Sequence, residues 1–224
     1  MKRLLFILTF SLLFATGYAQ NKNIFIFHYV FQHFKPGVVY MKSGVSDKYM
    51  LNYNSITEEM LFDEKDQILA IGKTEIGLID SVIIEGRKFI ILNDKFVELL
   101  YHNTKDATHS CDLYAAYTCS VIPPGKPSAY GGVSHTASSL SLSSINVGGL
   151  LYNLELPDGY TTKPRTHYLI KKNGELHRFL SMQQIKNFYN NKKGLFNSFV
   201  RENRVKFEDQ NDIAKLIEFL ETAN

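Results

Sequence analysis

The chain has 224 residues, of which 45% are hydrophobic, so it can bury one core of ordinary size or two small ones. It contains no Trp but 16 Phe and 13 Tyr, a composition that favours β-sheets when long helical periodicity is absent. Its formal net charge is only +3, whereas nucleic-acid-binding proteins usually carry a larger basic excess. We expect no nucleic-acid partner.

Residues 1–19 have the organisation of a cleavable secretory signal peptide. Met1-Lys2-Arg3 is a basic start, and an apolar run from Leu4 to Phe14 precedes the small residues Gly17 and Ala19. A transmembrane anchor needs about 20 apolar residues, so this run is too short to span a bilayer. The first Cys after the run is Cys111, too far along the chain for a lipoprotein cleavage site. We predict cleavage after Ala19, export to the periplasm or the cell exterior, and no transmembrane segment in the mature chain.

Residues 20–122 are predicted to form an antiparallel β-meander. Short apolar or alternating runs are separated by connections of two to four residues. Connections this short can join only antiparallel neighbours. Turns are predicted at Pro36-Gly37, Asp63 to Asp66, Glu85-Gly86-Arg87 and Asn93-Asp94. The predicted strands are Ile24–Phe31, Val38–Lys42, Lys48–Tyr53, Glu59–Phe62, Gln67–Ile71, Ser81–Ile84, Lys88–Leu92, Phe96–Tyr101 and Ser110–Ile122.

Residues 123–148 form a predicted surface loop rich in Pro, Gly and Ser. The segment Pro123-Pro124-Gly125-Lys126-Pro127 must be extended, because Pro fixes its own φ and restricts the residue before it. Rigid loops on a β-scaffold often bind partners, although a plain connector between two parts of the fold is the alternative. The candidate ligand-binding residues of this loop are Lys126, Tyr130, Gly131 and Gly132.

Residues 149–224 are predicted to contain a β-hairpin followed by amphipathic helices. Asn173-Gly174 suits a type I′ turn, because both central residues need a positive φ, and it places Lys172 opposite Glu175. Ser181 and Gln184 have the spacing of a capping box. Three helical stripes follow: Met182, Ile185, Phe188 and Tyr189; Leu195, Phe196, Phe199 and Val200; Ile213, Leu216, Ile217 and Leu220. Strands followed by helices predict an α+β class, with both parts packed as one unit.

The sequence contains no established pattern of catalytic or metal-binding residues. Cys111 and Cys119 lie about 26 Å apart on a strand, whereas a disulfide needs Cα atoms within about 7 Å. We therefore predict free thiols, and only a loop between the two residues would permit a bond. The seven His residues lack metal-ligand spacing, and a G-x-S-x-G motif is absent. We accordingly predict no catalytic residue, metal or cofactor.

Basic residues are concentrated near the C-terminus. Residues 161–206 hold 11 basic and 2 acidic side chains, whereas residues 20–160 hold 11 basic and 15 acidic ones. We favour docking of this basic segment on the acidic β-part over a surface for an anionic envelope component. The candidate basic surface residues for the second possibility are Lys192, Lys193 and Arg201.

Three stretches carry a family resemblance: Tyr49–Phe62 (YMLNYNSITEEMLF), Ile79–Leu100 (IDSVIIEGRKFIILNDKFVELL) and Cys119–Gly132 (CSVIPPGKPSAYGG). Together with the helical tail they resemble an uncharacterised family of small exported β-rich proteins from gram-negative bacteria. The resemblance implies export, a β-rich architecture and a bacterial envelope setting. It implies no activity, and no catalytic residue is carried over from it.

Two hypotheses about function follow from these observations. The first is a non-enzymatic envelope or secreted protein that binds a partner or has a structural role. The alternative is a hydrolase acting on an extracellular polymer, with a site assembled from dispersed residues. A pocket with convergent Asp, Glu, His or Ser side chains favours the hydrolase, and a shallow surface with aromatic side chains favours binding.

Overall fold

The structure is a computed structural model that describes residues 28–65, 67–104, 110–127, 133–134, 156 and 159–223. About half of it is β-strand and a quarter helix, so the sheet dominates. Its strands are β1 (Lys35–Met41), β2 (Ser46–Asn54), β3 (Glu59–Glu64), β4 (Gln67–Ala70), β5 (Ile79–Ile84), β6 (Arg87–Leu92), β7 (Lys95–Thr104), β8 (Ser110–Ile122), β9 (Lys126–Pro127), β10 (Val133–Ser134), β11 (Thr161–Lys172) and β12 (Glu175–Phe179). Its helices are α1 (Lys73–Ile76), α2 (Met182–Phe188), a 3-10 turn (Asn190–Lys192), α3 (Lys193–Asn203) and α4 (Gln210–Thr222).

The predicted antiparallel sheet with C-terminal helices is confirmed. Ten strands form one sheet in the order β12-β11-β8-β7-β6-β5-β1-β2-β3-β4, and β9 pairs separately with β10. The order departs from the chain order at one place: after β4, residues 71–78 cross back so that β5 pairs with β1. This crossover contains α1, a four-residue helix that the sequence analysis missed. β1 therefore lies inside the sheet, with a ladder of strands on either side.

One prediction about the N-terminal strands is wrong, and a second is tested only in part. Pro36-Gly37 is not a turn but part of β1, where Gly37 pairs with both Tyr49 and Ile84. A Cβ on Gly37 would lie 2.7 Å from Leu51 Cδ1 and 2.8 Å from the Ile83 carbonyl oxygen, so close packing requires the glycine. The described part of the predicted strand Ile24–Phe31 makes only an isolated bridge, between Tyr29 and Asn54, before the chain bends.

Most of the C-terminal predictions are confirmed, but the side-chain half of the capping box is not. Asn173 and Gly174 have φ values of 52° and 87°, and Lys172 pairs with Glu175 across the hairpin. Ser181 accepts a hydrogen bond from the Gln184 backbone N–H, while the Gln184 side chain accepts from Leu180 N rather than from the capping residue. Residues 1–27 and most of the predicted loop 123–148 lie outside the described residues.

The buried side chains form two main cores on one sheet. The helix-covered core lies between α2–α4 and strands β8, β11 and β12. The strand-enclosed core is wrapped by β1–β3 and β5–β7, because the sheet curls until β3 approaches β7. Tyr117 on β8 packs against both cores and marks the seam between them. In the part of the chain that the structure describes, no helix has both the length and the apolarity to cross a bilayer.

Candidate functional site

One of the concave sites beside the strand-enclosed core is a groove between β1–β3 and residues 70–79. We call it the crossover groove; its volume is about 760 Å³. Directly opposed residues of an antiparallel pair share a face of the sheet. The registers of β1, β2 and β3 therefore place Val39 beside Asp47, and Leu51 beside Phe62, on the groove side. The side chains that line this groove therefore come from alternate positions along each strand.

The crossover groove combines an apolar floor with acidic groups. Tyr49 and Phe62 form an aromatic pair with ring centroids 5.5 Å apart. Asp47 and Glu75 supply two exposed carboxylates, and none of the described residues lining the groove is Lys or Arg. An apolar surface with unbalanced negative charge is complementary to an apolar ligand that carries a cation.

Local contacts fix the crossover that forms one wall of the groove. Lys42 Nζ donates a hydrogen bond to the Gly77 carbonyl oxygen over 2.8 Å, which ties the β1–β2 turn to the end of α1. Thr74 Oγ1 donates to Glu75 Oε2 over 2.9 Å and orients that carboxylate. A Cβ on Gly72 would clash with the same carboxylate, so the glycine allows Glu75 to fold back over the backbone.

The second site is built around a polar cluster at the seam between the two cores. Arg87 on β6 and Glu98 on β7 form a bidentate ion pair, with Nε–Oε1 and Nη2–Oε2 distances of 2.8 and 2.6 Å. Arg87 Nη2 also donates to the Tyr117 hydroxyl over 3.0 Å. The same hydroxyl contacts Glu98 Oε2 and Gln210 Oε1, so the first turn of α4 reaches the sheet here. These four residues are the seam cluster.

The seam cluster contains two groups, Arg87 and Tyr117, whose pKa values are raised by their surroundings. Glu98 is only 5% exposed, and the Arg87 guanidinium lies 4.7 Å from the Phe31 ring centroid. Burial lowers the pKa of Arg87, but its bonds to Glu98 and Tyr117 outweigh burial and raise the pKa above its ordinary value. Burial and the Glu98 carboxylate raise the pKa of Tyr117. The cluster is therefore suited to binding rather than to proton transfer.

A small pocket of about 130 Å³ opens beside the seam cluster; we call it the seam pocket. Arg87 and Tyr117 form one side, and Arg165 on β11 lines it as a second cation. Thr118 Oγ1 donates to the Arg165 carbonyl oxygen over 3.4 Å, which joins β8 to β11 at the pocket. The other polar lining residues are Tyr29, Ser55, Thr166 and Gln210.

The sequence analysis did not identify either site. It assigned Arg87 to a turn, whereas Arg87 begins β6 and faces the strand-enclosed core. A usable signal was present: Glu98 is a lone acid at the same alternating position as Phe96 in an otherwise apolar strand, which indicates a buried partner. Lys126 lies in β9, and Tyr130, Gly131 and Gly132 lie outside the described residues.

The candidate basic surface residues have different environments. Lys192 Nζ donates to the carbonyl oxygens of Leu220 and Ala223, at 2.7 and 2.6 Å, and so caps the end of α4. Lys193 is exposed, and Arg201 is exposed with its Nη2 3.9 Å from a carboxylate oxygen of Glu202.

We favoured docking of the basic segment on the acidic β-part. The ion pairs of Lys172 and Arg201 give this prediction no support. Lys172 Nζ lies 2.6 Å from Glu221 Oε1, an acid of α4. Arg201 likewise lies nearest an acid of its own helix, Glu202. Each of these two cations therefore lies beside an acid of a C-terminal helix.

Other reactive side chains do not form a catalytic constellation. Cys111 and Cys119 are both free on β8, as predicted, and burial raises the pKa of Cys111 to about 12 and also raises that of Cys119. His102 Nδ1 lies 2.5 Å from Asp112 Oδ1, but His102 is exposed and lines neither the groove nor the pocket. Within the described residues, no group of three or more His, Cys, Asp or Glu side chains is arranged to hold a metal ion.

No protein-family model matches the chain, and no curated protein or solved structure matches it. The resemblance to an uncharacterised exported family therefore stays a prediction. Any function must therefore be argued from the geometry of the crossover groove and the seam pocket.

Proposed function

We propose that this chain is an exported envelope or secreted protein that binds an apolar, positively charged ligand in the crossover groove without transforming it. The signal-peptide pattern of residues 1–19 supports export. The groove supports binding, because its volume of about 760 Å³ lies within the range of small-molecule sites, about 300–1,000 Å³.

The observation that carries the proposal is the lining of the groove. The side chains of Val39, Leu51 and Ile79 offer apolar area, and the Tyr49–Phe62 pair offers aromatic faces. A cation over such a face gains about 0.5–1 kcal/mol at an exposed site. Asp47 and Glu75 add attraction for the same charge, so the preferred ligand joins an apolar body to an ammonium or guanidinium group.

A hydrolase remains the second candidate, because Asp47 and Glu75 place two carboxylates in one groove. Glycoside hydrolysis by a carboxylate pair requires one member in a buried, apolar environment that keeps it protonated as the general acid. Both side chains are exposed. Their exposure favours a role in attracting a cation over a role in proton transfer.

Calorimetric titration of the exported protein with two matched probes tests the proposal. 4-Phenylbutylammonium and 4-phenylbutyrate share an apolar body and differ in the sign of their charge. We expect the cation to bind about tenfold more tightly, since two exposed carboxylates each contribute up to about 1 kcal/mol. Equal affinity, or tighter binding of the anion, would contradict the proposal.

Variants of the groove then locate the binding. Asp47→Asn and Glu75→Gln should each weaken 4-phenylbutylammonium binding about two- to fivefold. Glu202→Gln on α3 is the matched control, because it also removes one exposed carboxylate but lies outside the groove. If the control weakens binding as much as the groove variants do, the probe responds to net charge and the groove is not its site.

A further inference from the structure

The seam pocket is a second, chemically opposite site. Its lining contains two arginines, Arg87 and Arg165, whereas the crossover groove contains two carboxylates. The pocket lies where β8 and β11 meet the first turn of α4, next to the seam cluster. Its position between the two cores gives it walls from the sheet and the helical region.

Arg87 has hydrogen-bonding capacity left over. Its Nε and Nη2 atoms make the bonds to Glu98 and Tyr117, and no described residue accepts a hydrogen bond from Nη1. The side chain is only 25% exposed, so the two N–H groups of Nη1 have limited access to bulk water. A partly buried donor without an acceptor is unfavourable, and an acceptor in the pocket would satisfy it.

The charges around the pocket select a monoanion. Glu98 neutralises Arg87 through the bidentate pair. Arg165 is exposed and adds one positive charge to the lining. One unbalanced positive charge matches a singly charged carboxylate better than a doubly charged phosphate, and a guanidinium presents its N–H groups in the plane that a carboxylate needs.

The size and remaining lining of the pocket select a small organic molecule. A volume of about 130 Å³ holds about four water molecules, at roughly 30 Å³ each, which leaves room for a carboxylate and a few carbon atoms. Val30 and Pro164 add apolar surface against which those carbons can pack. Inorganic anions gain nothing from such a surface.

We propose that the seam pocket binds a small organic monocarboxylate, whose oxygens accept hydrogen bonds from Arg87 Nη1 and the Arg165 guanidinium. The Thr166 hydroxyl, which also lines the pocket, is available as a further donor, whereas the Ser55 hydroxyl already donates to the His28 carbonyl oxygen. This site is independent of the crossover groove and of the ligand proposed for it.

Binding of propionate to the exported protein, measured by ligand-observed NMR and calorimetry, tests the proposal. Propionamide has nearly the same shape without the charge, and inorganic phosphate is an anion without carbon atoms. We expect propionate to bind more tightly than either. Propionamide binding as tightly as propionate would overturn the proposal, and so would tighter binding of phosphate.

Two substitutions provide a matched pair. Arg165→Gln should weaken propionate binding by at least about fivefold, because it removes the unbalanced charge from the lining. Arg178→Gln removes an equally exposed Arg from β12, outside the pocket, and should change the affinity less than twofold. Equal effects of the two variants would overturn the site assignment.

A second variant keeps the test valid if Arg165→Gln fails to fold by circular dichroism. Thr166→Val replaces a pocket hydroxyl by a methyl group of similar shape and should also weaken propionate binding. Asp47→Asn should leave propionate binding unchanged, since the groove is a separate site. An unchanged affinity in Thr166→Val, or a loss in Asp47→Asn, would contradict the proposal.

Discussion

The two cores share one sheet but are closed in different ways. Helices of regular period cover one core, and Ile213, Leu216 and Leu220 of α4 are fully buried there. The strand-enclosed core is instead surrounded by the curled sheet and by residues outside regular secondary structure. The crossover groove stays open along β1–β3. In the part of the chain that the structure describes, the crossover groove and the seam pocket thus lie beside the curled part of the sheet and at the seam.

The pH dependence of folding tests whether the two parts unfold together. Burial lowers the pKa of His28 to about 4, and burial with the nearby Arg178 lowers that of His167 to about 4. An unfolded His titrates near pH 6.5. As pH falls from about 6.5 to about 4, the unfolded chain therefore takes up protons that the folded chain excludes. The free energy of unfolding should fall by on the order of 3 kcal/mol for each His.

Urea denaturation at pH 7, 6, 5 and 4 measures this effect in the wild type, His28→Gln and His167→Gln. Each variant should show a shallower loss of stability between pH 6.5 and 4. If sheet and helices fold as one unit, both variants flatten the same single transition. Two transitions, each flattened by only one variant, would show that the parts unfold separately.

The seam cluster should couple the cores through one buried ion pair. Arg87→Met keeps an apolar stem against Phe31 but leaves the Glu98 carboxylate buried without its cation. Removing one partner of a buried pair lowers the free energy of unfolding by about 3–5 kcal/mol. The double variant Arg87→Met/Glu98→Gln should recover most of the loss in urea denaturation. A loss below about 1 kcal/mol in the single variant would mean that water solvates Glu98.

Truncation of one buried Leu in each core compares the helix-covered core directly with the strand-enclosed core. Leu216 and Leu51 are both fully buried, but Leu51 lines the crossover groove and Leu216 lies under α4. Leu216→Ala should lower the free energy of unfolding by about 2–5 kcal/mol, because it leaves a closed cavity. Leu51→Ala should cost about 1 kcal/mol less, since its cavity opens to the groove. Equal losses in urea denaturation would contradict this view of the groove.

The smallest expected effect concerns the end of α4. Lys192→Met removes the ammonium that caps the Leu220 and Ala223 carbonyls and should lower the free energy of unfolding by about 1 kcal/mol. Lys193→Met is the control, because Lys193 is the exposed neighbour of Lys192. This substitution should have almost no effect on stability. Thermal unfolding of both variants measures the difference. Equal shifts in Tm would show that net charge, rather than capping, is responsible.

Features encoded by local periodicity were predictable from the sequence. The stripe of Ile213, Leu216, Ile217 and Leu220 predicts the buried face of α4, and all four residues are fully buried. Asn173-Gly174 fixes its hairpin by turn chemistry alone. The bounds of β8 are those predicted, because its long run lies between a polar segment and Pro123-Pro124.

Features that depend on distant partners were not predictable in the same way. Pro36-Gly37 has the local composition of a turn, but the close approach of Leu51 and Ile83 makes Gly37 a strand residue. The pairing of β1 with β5 and the meeting of Arg87 with Tyr117 join residues far apart in the sequence. Both candidate sites are built from such contacts, so the isolated acid Glu98 in a mostly apolar run was the one local signal that pointed to either of them.

The crossover has a consequence for the kinetics of folding. β1–β4 and β5–β8 are two ladders of consecutive neighbours, which close over short loops. The β1–β5 ladder instead joins Val39 to Val82, so it must close a much longer loop. Long-range closure is slow, so this ladder and the β8–β11 ladder, which closes a loop of similar length, are expected to form late. Gly37 lies in the β1–β5 ladder, so the residue that permits close packing in the native sheet also belongs to a contact that is expected to form late in folding.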